Sequence, residues 1–568
     1  MRGKIVKLAL SLLVLAGIVL SMFAWMLLHR TPGHYFDSNG ASIFYTDEGQ
    51  GEPVILIHGV GANADLNWRR PGVTKRLARN FRVIALDLRG HGLSAQPTDP
   101  AMYGMEMVED VVRLMDHLNL EKAHIAGYSL GGFILEKLLV VHPERVQSAA
   151  LCAAGWKNPE DPADIPSPYR PPQKTAPLKL SRASMMPSFE KGSFFHSLKE
   201  WVGPKLVNKP ALKAMKKAYP ALVVTMDELK SVKMPVICFI GSRDGFYYLA
   251  KDLNTVNPAV ELVELDGANH FTTPLYGDFQ GRLESFFRAH SLFDAPAPAP
   301  DAASEATLLT WNIQMLPARL GCIVEPLNRM QHERAPEIVN YLNGQNYDLL
   351  CLQEVFDKTS TRILLEGLRR EYPYAVLPQR RPWRTQTNGV LFMSRFPIRL
   401  AGYVPFDELK GVEHYVSKGC TLVECVKDGV RFQIGGTHFP TGKSAYKHAA
   451  SRKTGENLLI PLARPQVPQF LMGDMNVASG TEDFDILLKA TRMSQWPVND
   501  PRPFTTEPEN TWRGRGKTAQ IDHVLLNPNG TGTAVTNQVI QRAKADFGGK
   551  SLDLADHYGV AARVLIKN

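Results

Sequence analysis

Short apolar runs alternate with longer helix-like stretches along the first half of the chain. A short continuous apolar run is typical of a strand buried on both faces, whereas the intervening stretches repeat their apolar positions with a helical period. This alternation predicts an α/β fold, a largely parallel sheet with helices on both faces, over residues 35–290. The strand-like runs are VILIHG, FRVIALD, AHIAGYS, PVICFIG and VELVELD.

The apolar runs of the second half lie closer together, and many are joined by short turns. This spacing favours an α+β sandwich over residues 307–568 rather than a second doubly wound sheet. Between the halves, residues 291–306 contain alternating Ala and Pro, a composition that is extended and builds no core. We therefore expect two globular domains joined by this linker. The second set of runs is ATLLTWNI, YDLLCLQE, GVLFMSR, TLVECV, RFQIGGTH, QFLMGD and IDHVLLN.

One apolar segment lies outside both predicted domains. Residues Leu8–Leu28 carry no charge, and a helix of that length spans a bilayer. Basic residues precede the segment, so the positive-inside rule keeps the N-terminus in the cytoplasm. No small-residue cleavage site follows, which favours an uncleaved signal anchor in residues 1–30 over a cleaved signal peptide. We expect a single-pass membrane protein with both domains outside the cytoplasm.

Composition narrows the class of protein further. The 568 residues are 44% hydrophobic and 21% charged, as in ordinary globular proteins, which excludes wholesale disorder. A net charge of +9 is a mild surplus for this length and does not indicate a histone-like polycation. Six cysteines without a C-x-x-C pair exclude a disulfide-built scaffold and argue against a zinc knuckle.

A pentapeptide in the first half predicts nucleophilic chemistry. The sequence Gly-Tyr-Ser-Leu-Gly surrounds Ser129 and lies between an apolar strand and an apolar helix. In this setting, G-x-S-x-G forms a sharp turn that presents a serine nucleophile. Serine needs a base and an orienting acid, and the expected chain order is Ser, Asp, His. Asp244 and His270 each follow a strand in that order and complete the predicted triad.

An oxyanion hole is expected beside that serine, with the backbone N–H groups of Val60 and Leu130 as donors. Together these motifs resemble the α/β-hydrolase family over about residues 35–290. The resemblance implies an esterase or lipase without a cofactor and a lid at about residues 155–234. Residues 205–219 of that lid show a basic amphipathic pattern, which suits either an ordinary lid helix or a surface that docks on anionic lipid.

Six polar motifs follow apolar strands in the second half. A hard divalent cation held by carboxylates neutralises an anionic phosphodiester and polarises its P–O bond. Each motif alone is a common dipeptide, but all six in this order are specific for that chemistry. They contain Asn312, Glu354, His438, Asp474 with Asn476, Asp522, and Asp556 with His557.

The residue types in these motifs suggest how metal binding and proton transfer are divided. Glu354 is the best candidate metal ligand, with help from Asn312 and Asp556. His557 is expected to deprotonate the attacking water, while Asp522 orients its imidazole.

Three further side chains complete the predicted second site. His438 is expected to stabilise the phosphorane-like transition state. Asp474 and Asn476 lie two residues apart at a strand end, so both can face the phosphate or the leaving group. The second half is thus predicted to be a metal-dependent phosphodiesterase.

The second set of motifs resembles the endonuclease/exonuclease/phosphatase superfamily over about residues 306–568, which implies Mg²⁺ or another divalent cation. The sphingomyelinase branch looks most similar, through QEVFD, NGVLFMSRFPI, GDMN, IDHVLL and ADHYGV. A Lys-Gly element matches that branch and implies that Lys418 binds the substrate phosphate together with Asn476. The chain departs from the branch after His438, where it reads Phe-Pro-Thr-Gly instead of Leu-Gln-Ala. The headgroup therefore stays open.

These observations predict a membrane-anchored bifunctional hydrolase. The expected partners are a membrane lipid or another phosphodiester substrate; nucleic acid is less favoured, and no protein partner is inferred. The alternative is an extracytoplasmic nuclease or phosphatase tethered to a silent or adaptor α/β-hydrolase domain. Basic and aromatic segments such as RRPWR and WRGRGK keep that alternative open, because DNA-binding proteins use similar patches.

Overall fold

The computed structural model describes residues 29–157, 208–293, 302–317, 330–409, 411–513 and 517–567. The chain forms two compact units whose main division falls between His290 and Ser291. The predicted anchor and most of the predicted lid lie outside the described residues. No helix in the described part is long and apolar enough to cross a bilayer.

The first unit is built on eight strands, β1 (His34–Ser38), β2 (Ala41–Gly49), β3 (Pro53–Ile57), β4 (Arg82–Leu86), β5 (Ala123–Tyr128), β6 (Val146–Cys152), β7 (Val236–Gly241) and β8 (Glu261–Leu265). They form one sheet in the order β1-β2-β4-β3-β5-β6-β7-β8. β1 and β2 pair in antiparallel fashion, and the strands from β3 onward run parallel. The sheet therefore has the predicted, largely parallel form.

Helices cover both faces of this sheet. Side chains alternate between the faces of a strand, and every residue of β3, β4 and β5 is buried, so both faces must be covered. The helices are α1 (Val73–Leu77), α2 (Met105–His117), α3 (Leu130–Val141), α4 (Lys209–Lys217), α5 (Met226–Ser231), α6 (Tyr247–Val256) and α7 (Gly277–Ala289). A π-helical turn spans Asp65–Arg69.

The second unit contains the strands β9 (Ala303–Met315), β10 (Leu349–Val355), β11 (Tyr374–Val376), β12 (Leu391–Ser394), β13 (Ile398–Pro405), β14 (Gly419–Lys427), β15 (Val430–His438), β16 (Gln469–Asp474), β17 (Ser494–Gln495), β18 (Asp522–Asn527), β19 (Ala534–Gln541), β20 (Lys544–Asp546), β21 (Ser551–Asp553) and β22 (Gly559–Lys567). One sheet has the order β11-β12-β10-β9-β22-β19, and the other has the order β13-β14-β15-β16-β18-β17. β20 and β21 form a separate hairpin.

The two sheets of this unit pack face to face with helices outside them. A shared core joins apolar residues of both sheets, for example Phe392 on β12 and Phe432 on β15. Further clusters lie between each sheet and its outer helices, so the unit is a four-layer α/β/β/α sandwich. The helices are α8 (Gln331–Asn343), α9 (Lys358–Leu368), α10 (Ser444–Thr454) and α11 (Glu482–Thr491).

Two boundaries differ from those predicted. β9 begins at Ala303, ahead of the predicted start at residue 307, because residues 303–306 pair with β22. The first unit begins before residue 35, because Arg30 already forms ion pairs with Asp65 at 2.9 Å and Asp87 at 2.7 Å. Neither extension carries an apolar periodicity that sequence reasoning could use.

Candidate active sites

The first candidate site lies at the turn between β5 and α3. Ser129 has a φ of 51° and a ψ of −113°, a strained conformation that the sharp strand-to-helix turn imposes. The turn needs glycine on both sides. A Cβ on Gly127 would lie 2.2 Å from the backbone oxygen of Gly131, and a Cβ on Gly131 would lie 2.3 Å from that of Ile57. The two glycines therefore allow the serine to occupy the strand end.

A continuous hydrogen-bonded line joins the predicted triad. The Ser129 hydroxyl lies 3.0 Å from Nε2 of His270. Nδ1 of His270 lies 3.0 Å and 3.1 Å from the two carboxylate oxygens of Asp244. The Asp244 carboxylate is fully buried, whereas 15% of the His270 side chain is exposed. An Nδ1–H that donates to Asp244 leaves the Nε2 lone pair free to accept the serine proton.

Neighbouring groups hold both triad loops in place. Asp244 follows β7, and its Oδ1 accepts a hydrogen bond from the backbone N–H of Phe246 at 2.9 Å. His270 follows β8, and its backbone oxygen accepts a hydrogen bond from the hydroxyl of Tyr128 at 2.7 Å. The Phe246 ring packs edge-on against the His270 ring with centroids 5.0 Å apart. The base and the orienting acid are thus fixed from two sides.

The predicted oxyanion donors lie in the two segments beside Ser129. Leu130 is the first residue of α3, so no carbonyl one turn earlier in the helix can accept its N–H. Val60 follows Gly59, at which a Cβ would lie only 3.1 Å from the Cβ of Ser129. The N–H of Gly59 donates to Oδ1 of Asn67 at 2.9 Å, which holds this loop against the serine.

A buried carboxyl group that sequence reasoning missed lies in α3. Glu136 is 3% exposed, and its Oε1 has no hydrogen-bond partner among the described residues. Burial raises the pKa of Glu136 to about 8, so the group is largely protonated at neutral pH. The sequence gives no sign that this glutamate is buried, because a single glutamate in an apolar helix is normally expected to face solvent.

The second candidate site lies where strands from both sheets of the sandwich end. The register places His438 and Asp474 side by side at the ends of the parallel strands β15 and β16. Asp522 lies beside them as the first residue of the antiparallel strand β18 rather than after a strand as predicted. From the other sheet, the amide nitrogen of Asn312 on β9 donates to Oδ2 of Asp474 at 3.0 Å. Glu354 on β10 lies near the same point, with its Oε1 3.7 Å from Nε2 of His438.

His557 and Asp522 form a hydrogen-bonded pair in this site. Nδ1 of His557 lies 2.8 Å from Oδ2 of Asp522, and its Nε2 lies 3.9 Å from Oδ2 of Asp474. Possible ligand atoms of these three residues lie within 4.8 Å of one another. Burial alone would lower the pKa of His557, but the carboxylates of Asp522, Asp474 and Asp556 raise it to about 10.

The acidic groups of this site fit a divalent cation. Burial and the nearby Asp556 raise the pKa of Glu354 to about 7, and the charges of Lys418 and His557 offset this only in part. Oδ1 of Asp556 is buried without a hydrogen-bond partner among the described residues. Glu354 also has a φ of 60° at a bulge in β10, a strained conformation of the kind found at ligand sites. Free carboxylate oxygens are the ligands that Mg²⁺ prefers.

Lys418 enters the same site from the residue before β14. Its Nζ donates to Nε2 of His438 at 3.0 Å, to Oε1 of Glu413 at 2.6 Å and to the backbone oxygen of Phe439 at 3.0 Å. Burial and the charge of Lys418 lower the pKa of His438 to about 3. His438 is therefore neutral and acts as a hydrogen-bonding group rather than as a cation.

The loop after His438, where the sequence departs from the sphingomyelinase pattern, is tied to this lysine. Oε1 of Glu413 accepts hydrogen bonds from the backbone N–H and the hydroxyl of Thr441, at 3.1 Å and 3.2 Å. Asn476 lies two residues beyond β16 with a φ of 51°, and its amide donates to the backbone oxygen of Phe439 at 3.1 Å. The divergent loop is thus held from both sides by site residues.

Sequence reasoning missed two arginines at this site. Nη2 of Arg513 lies 2.6 Å from Nε2 of His557 and 3.3 Å from Oδ2 of Asp556. A guanidinium has only donors, so this contact requires a lone pair on Nε2 and opposes the carboxylates that favour the imidazolium. Arg334 is fully buried and donates to three backbone oxygens, those of Ile313, Gln314 and Leu554. Arg513 lies in the basic and aromatic segment WRGRGK, which could have indicated it, whereas no sequence pattern indicates Arg334.

Comparison with known proteins agrees with this geometry. Residues 52–222 match the family described as alpha/beta hydrolase fold, and residues 309–543 match the Endonuclease/Exonuclease/phosphatase family. The chain carries an α/β-hydrolase domain followed by an endonuclease/exonuclease/phosphatase domain. These are called the hydrolase domain and the EEP domain below.

Curated relatives cover only part of the chain. The 2-hydroxymuconate semialdehyde hydrolase of Pseudomonas sp. (strain CF600) is 42% identical over 108 residues, which are 18% of this chain and 37% of that protein. The dihydrolipoyllysine-residue acetyltransferase component of the acetoin cleaving system of Pseudomonas putida is 42% identical over 106 residues, which are 18% of this chain and 27% of that protein. The chain thus spans well under half of the length of these relatives.

Solved structures are similar to parts of the chain as well. Sphingomyelinase C from Streptomyces griseocarneus covers 46% of this chain and 99% of its own, with 21% identity and a TM-score of 0.38.

Proposed function

We propose that this chain is a membrane-anchored bifunctional hydrolase. The hydrolase domain is a serine esterase or lipase, and the EEP domain is a divalent-cation-dependent phosphodiesterase that acts on phospholipid or sphingolipid headgroups. The observation that carries the proposal is that each domain holds its own base paired with an orienting carboxylate, His270 with Asp244 and His557 with Asp522. The apolar segment Leu8–Leu28 supports attachment to a membrane, where a lipid could serve both domains.

In the hydrolase domain, Ser129 Oγ attacks the acyl carbonyl carbon while its proton passes to Nε2 of His270. Asp244 stabilises the imidazolium that forms, and the backbone N–H groups of Val60 and Leu130 bind the oxyanion. His270 then protonates the leaving oxygen, which releases the alcohol and leaves an acyl-serine ester. Water, deprotonated by His270, attacks that ester and releases the acid and the free serine.

In the EEP domain, Glu354, Asp556 and the amide oxygen of Asn312 would hold the divalent cation, which neutralises the phosphodiester and polarises its P–O bond. His557, in the neutral form that the Arg513 contact requires and that a cation beside the carboxylates would favour, takes a proton from a water molecule as the water oxygen forms a bond to phosphorus. Lys418 and Asn476 would bind the phosphate oxygens, for which Lys418 Nζ exchanges one of its three present hydrogen bonds and Asn476 uses its second amide N–H. The bond from phosphorus to the lipid oxygen breaks, and this oxygen takes up a proton from solvent water, so the products are a lipid alcohol and a soluble phosphorylated headgroup. His557 then releases the proton that it took from the attacking water.

A nuclease is the second candidate for the EEP domain. Arg513 contacts His557 and follows Trp512, and such a pair of basic and aromatic side chains also suits a nucleic acid strand. The predicted anchor and the expected location outside the cytoplasm favour lipid over nucleic acid.

Two assays on the full-length chain test the proposal. Mixed vesicles of phospholipids and sphingomyelin with Mg²⁺ should yield a soluble phosphorylated headgroup, which mass spectrometry of the supernatant would identify. No release from any lipid, together with cleavage of DNA by the same preparation, would move the EEP domain to the nuclease class.

The second assay tests the hydrolase domain. A fluorophosphonate probe should label the chain at Ser129, because only an activated serine reacts. Absence of labelling, with the fold intact by circular dichroism, would make this domain a silent adaptor.

A further inference from the structure

An exposed aromatic patch lies on two loops of the EEP domain. Among the described residues, Trp383 is the most exposed large apolar side chain, and the fold buries none of its surface. Tyr415 is 61% exposed. The two residues are called the aromatic patch below. Tyrosine and tryptophan are enriched at interfaces and at membrane surfaces, where one end of the side chain is apolar and the other is wet.

The two loops that carry the aromatic patch are hydrogen-bonded to each other. The backbone oxygen of Tyr415 accepts bonds from the N–H of Gln386 at 3.2 Å and from the hydroxyl of Thr385 at 3.1 Å. In addition, the N–H of Ser417 donates to the backbone oxygen of Thr387 at 3.0 Å. These bonds hold the backbone of Tyr415 against the loop that carries Trp383, so the fold fixes the two loops relative to each other.

The aromatic patch adjoins the phosphodiester site. Tyr415 lies on a short 3₁₀ turn, Gly411–Tyr415, whose inner side chain is Glu413. Glu413 binds Lys418 inside the site, while Tyr415 points to solvent two residues later. The turn Gly411–Tyr415 therefore connects Lys418, through Glu413, to the exposed ring of Tyr415.

Basic residues adjoin Trp383 in the sequence. Arg380 and Arg384 flank Trp383 in the sequence Arg-Arg-Pro-Trp-Arg, and Arg381 is anchored by an ion pair with Asp407. A ring that presents both faces, bordered by guanidinium groups, matches the boundary between lipid acyl chains and anionic phosphate groups.

We propose that the aromatic patch inserts into the lipid–water interface and holds the EEP site against a phosphate-bearing membrane surface. The proposal rests on the proposed lipid phosphodiesterase function. The rings enter the interfacial region, the arginines pair with lipid phosphates, and the lysine beside them meets the headgroup to be cut.

Insertion is tested by fluorescence without catalysis. The full-length chain carrying His557→Ala and Trp383→Cys, labelled at the new cysteine with a nitrobenzoxadiazole dye, is incorporated into vesicles of phosphatidylcholine and phosphatidylserine. The expected result is a blue shift and quenching by lipids that carry a nitroxide on the acyl chain. The matched control carries the dye at Leu462→Cys, another partly exposed apolar position of this domain, and should show neither change.

Two outcomes would overturn the proposal. One is a dye at position 383 that stays as solvent-exposed as the control. The other is a blue shift with single-stranded DNA but not with vesicles, which would assign the patch to nucleic acid. Because the inactive background removes turnover, a catalytic failure of the EEP domain leaves this readout intact.

Kinetics supply the second readout. Trp383→Ala with Tyr415→Ala should raise KM for a vesicle substrate by about tenfold, since both rings lose their interfacial contacts. Hydrolysis of the soluble diester bis(p-nitrophenyl) phosphate should stay unchanged, and Leu400→Ala, which alters an exposed side chain of β13, should affect neither. Equal losses on both substrates would assign the rings a structural role and contradict the proposal.

Discussion

The hydrolase domain holds its reactive groups in one line of three side chains, whereas the EEP domain gathers carboxylates, imidazoles and cations in a cluster. In the first site one carboxylate is buried, and it faces one imidazole. In the second site, Glu354 and His557 have pKa values raised to about 7 and about 10. The difference supports the proposal that the first site acts with its own side chains, whereas the second acts with an added cation.

That contrast follows from the chemistry each site carries. Acyl transfer can use a nucleophile from the chain, so a serine and its base suffice. The proposed phosphodiester substrate is anionic and brings charge of its own, so the EEP domain would need positive charge around its buried carboxylates. We propose that Lys418, Arg513 and a cation held by Glu354 and Asp556 supply it together.

Ser129→Ala should produce the largest difference between the activities of the two sites. Ester hydrolysis should fall by roughly 10⁴- to 10⁶-fold, because the triad loses its nucleophile. Phosphodiester cleavage, measured in the same preparation, should not change. Ser242→Ala is the matched control, since its hydroxyl bonds Asp266 and not the triad. A similar loss of both activities would contradict two independent sites.

Removal of divalent cations should have the next largest effect. EDTA is expected to lower phosphodiester cleavage by about 10³-fold or more, because the cation supplies several kcal/mol of charge stabilisation. Ester hydrolysis should be unaffected, and excess Mg²⁺ should restore the lost activity. Cleavage that survives EDTA would show that Lys418 and Arg513 suffice.

Arg513→Ala tests whether the arginine that contacts His557 binds the substrate phosphate. Loss of a charge-assisted bond to phosphate should raise KM for a phosphodiester by about 10- to 100-fold. Arg502→Ala, whose guanidinium pairs with Glu507, is the control and should leave KM unchanged. A change in the pH profile with no change in KM would instead assign Arg513 to the control of His557.

The smallest expected effect concerns stability and the buried Glu136. Its pKa is raised to about 8 in the folded domain from an ordinary value of 4.5, so the folded state binds the extra proton between these values. The free energy of unfolding should therefore fall from pH 5 to pH 8, by at most about 1.4 kcal/mol per pH unit.

Glu136→Gln should flatten that slope in thermal unfolding of the full chain. Glu144→Gln, which changes an exposed carboxylate, should not. Identical slopes for the wild type and Glu136→Gln would show that Glu136 is ionised in the fold.

Much of the hydrolase site could be predicted from sequence because topology fixes it. Parallel strands end at one edge, so a serine, an aspartate and a histidine after β5, β7 and β8 meet there. Asp474 followed from the same logic, because β15 and β16 run parallel. Asp522 reaches the same edge for a different reason, because it begins β18, which runs antiparallel to β16. Glu413 and Arg513 did not, because their contacts come from loops without apolar periodicity. The start of β9 at Ala303 was missed for a related reason, since its first residues are polar and gain strand structure from β22.

The central claim is that one chain carries a lipid phosphodiesterase that works independently of its serine hydrolase. The most direct measurement follows release of phosphorylated headgroup from mixed phospholipid and sphingomyelin vesicles by the full-length wild type, Ser129→Ala and His557→Ala. We predict Mg²⁺-dependent release by the first two and a loss of roughly 10²- to 10⁴-fold in His557→Ala. Release that persists in His557→Ala, or that disappears in Ser129→Ala, would contradict the account.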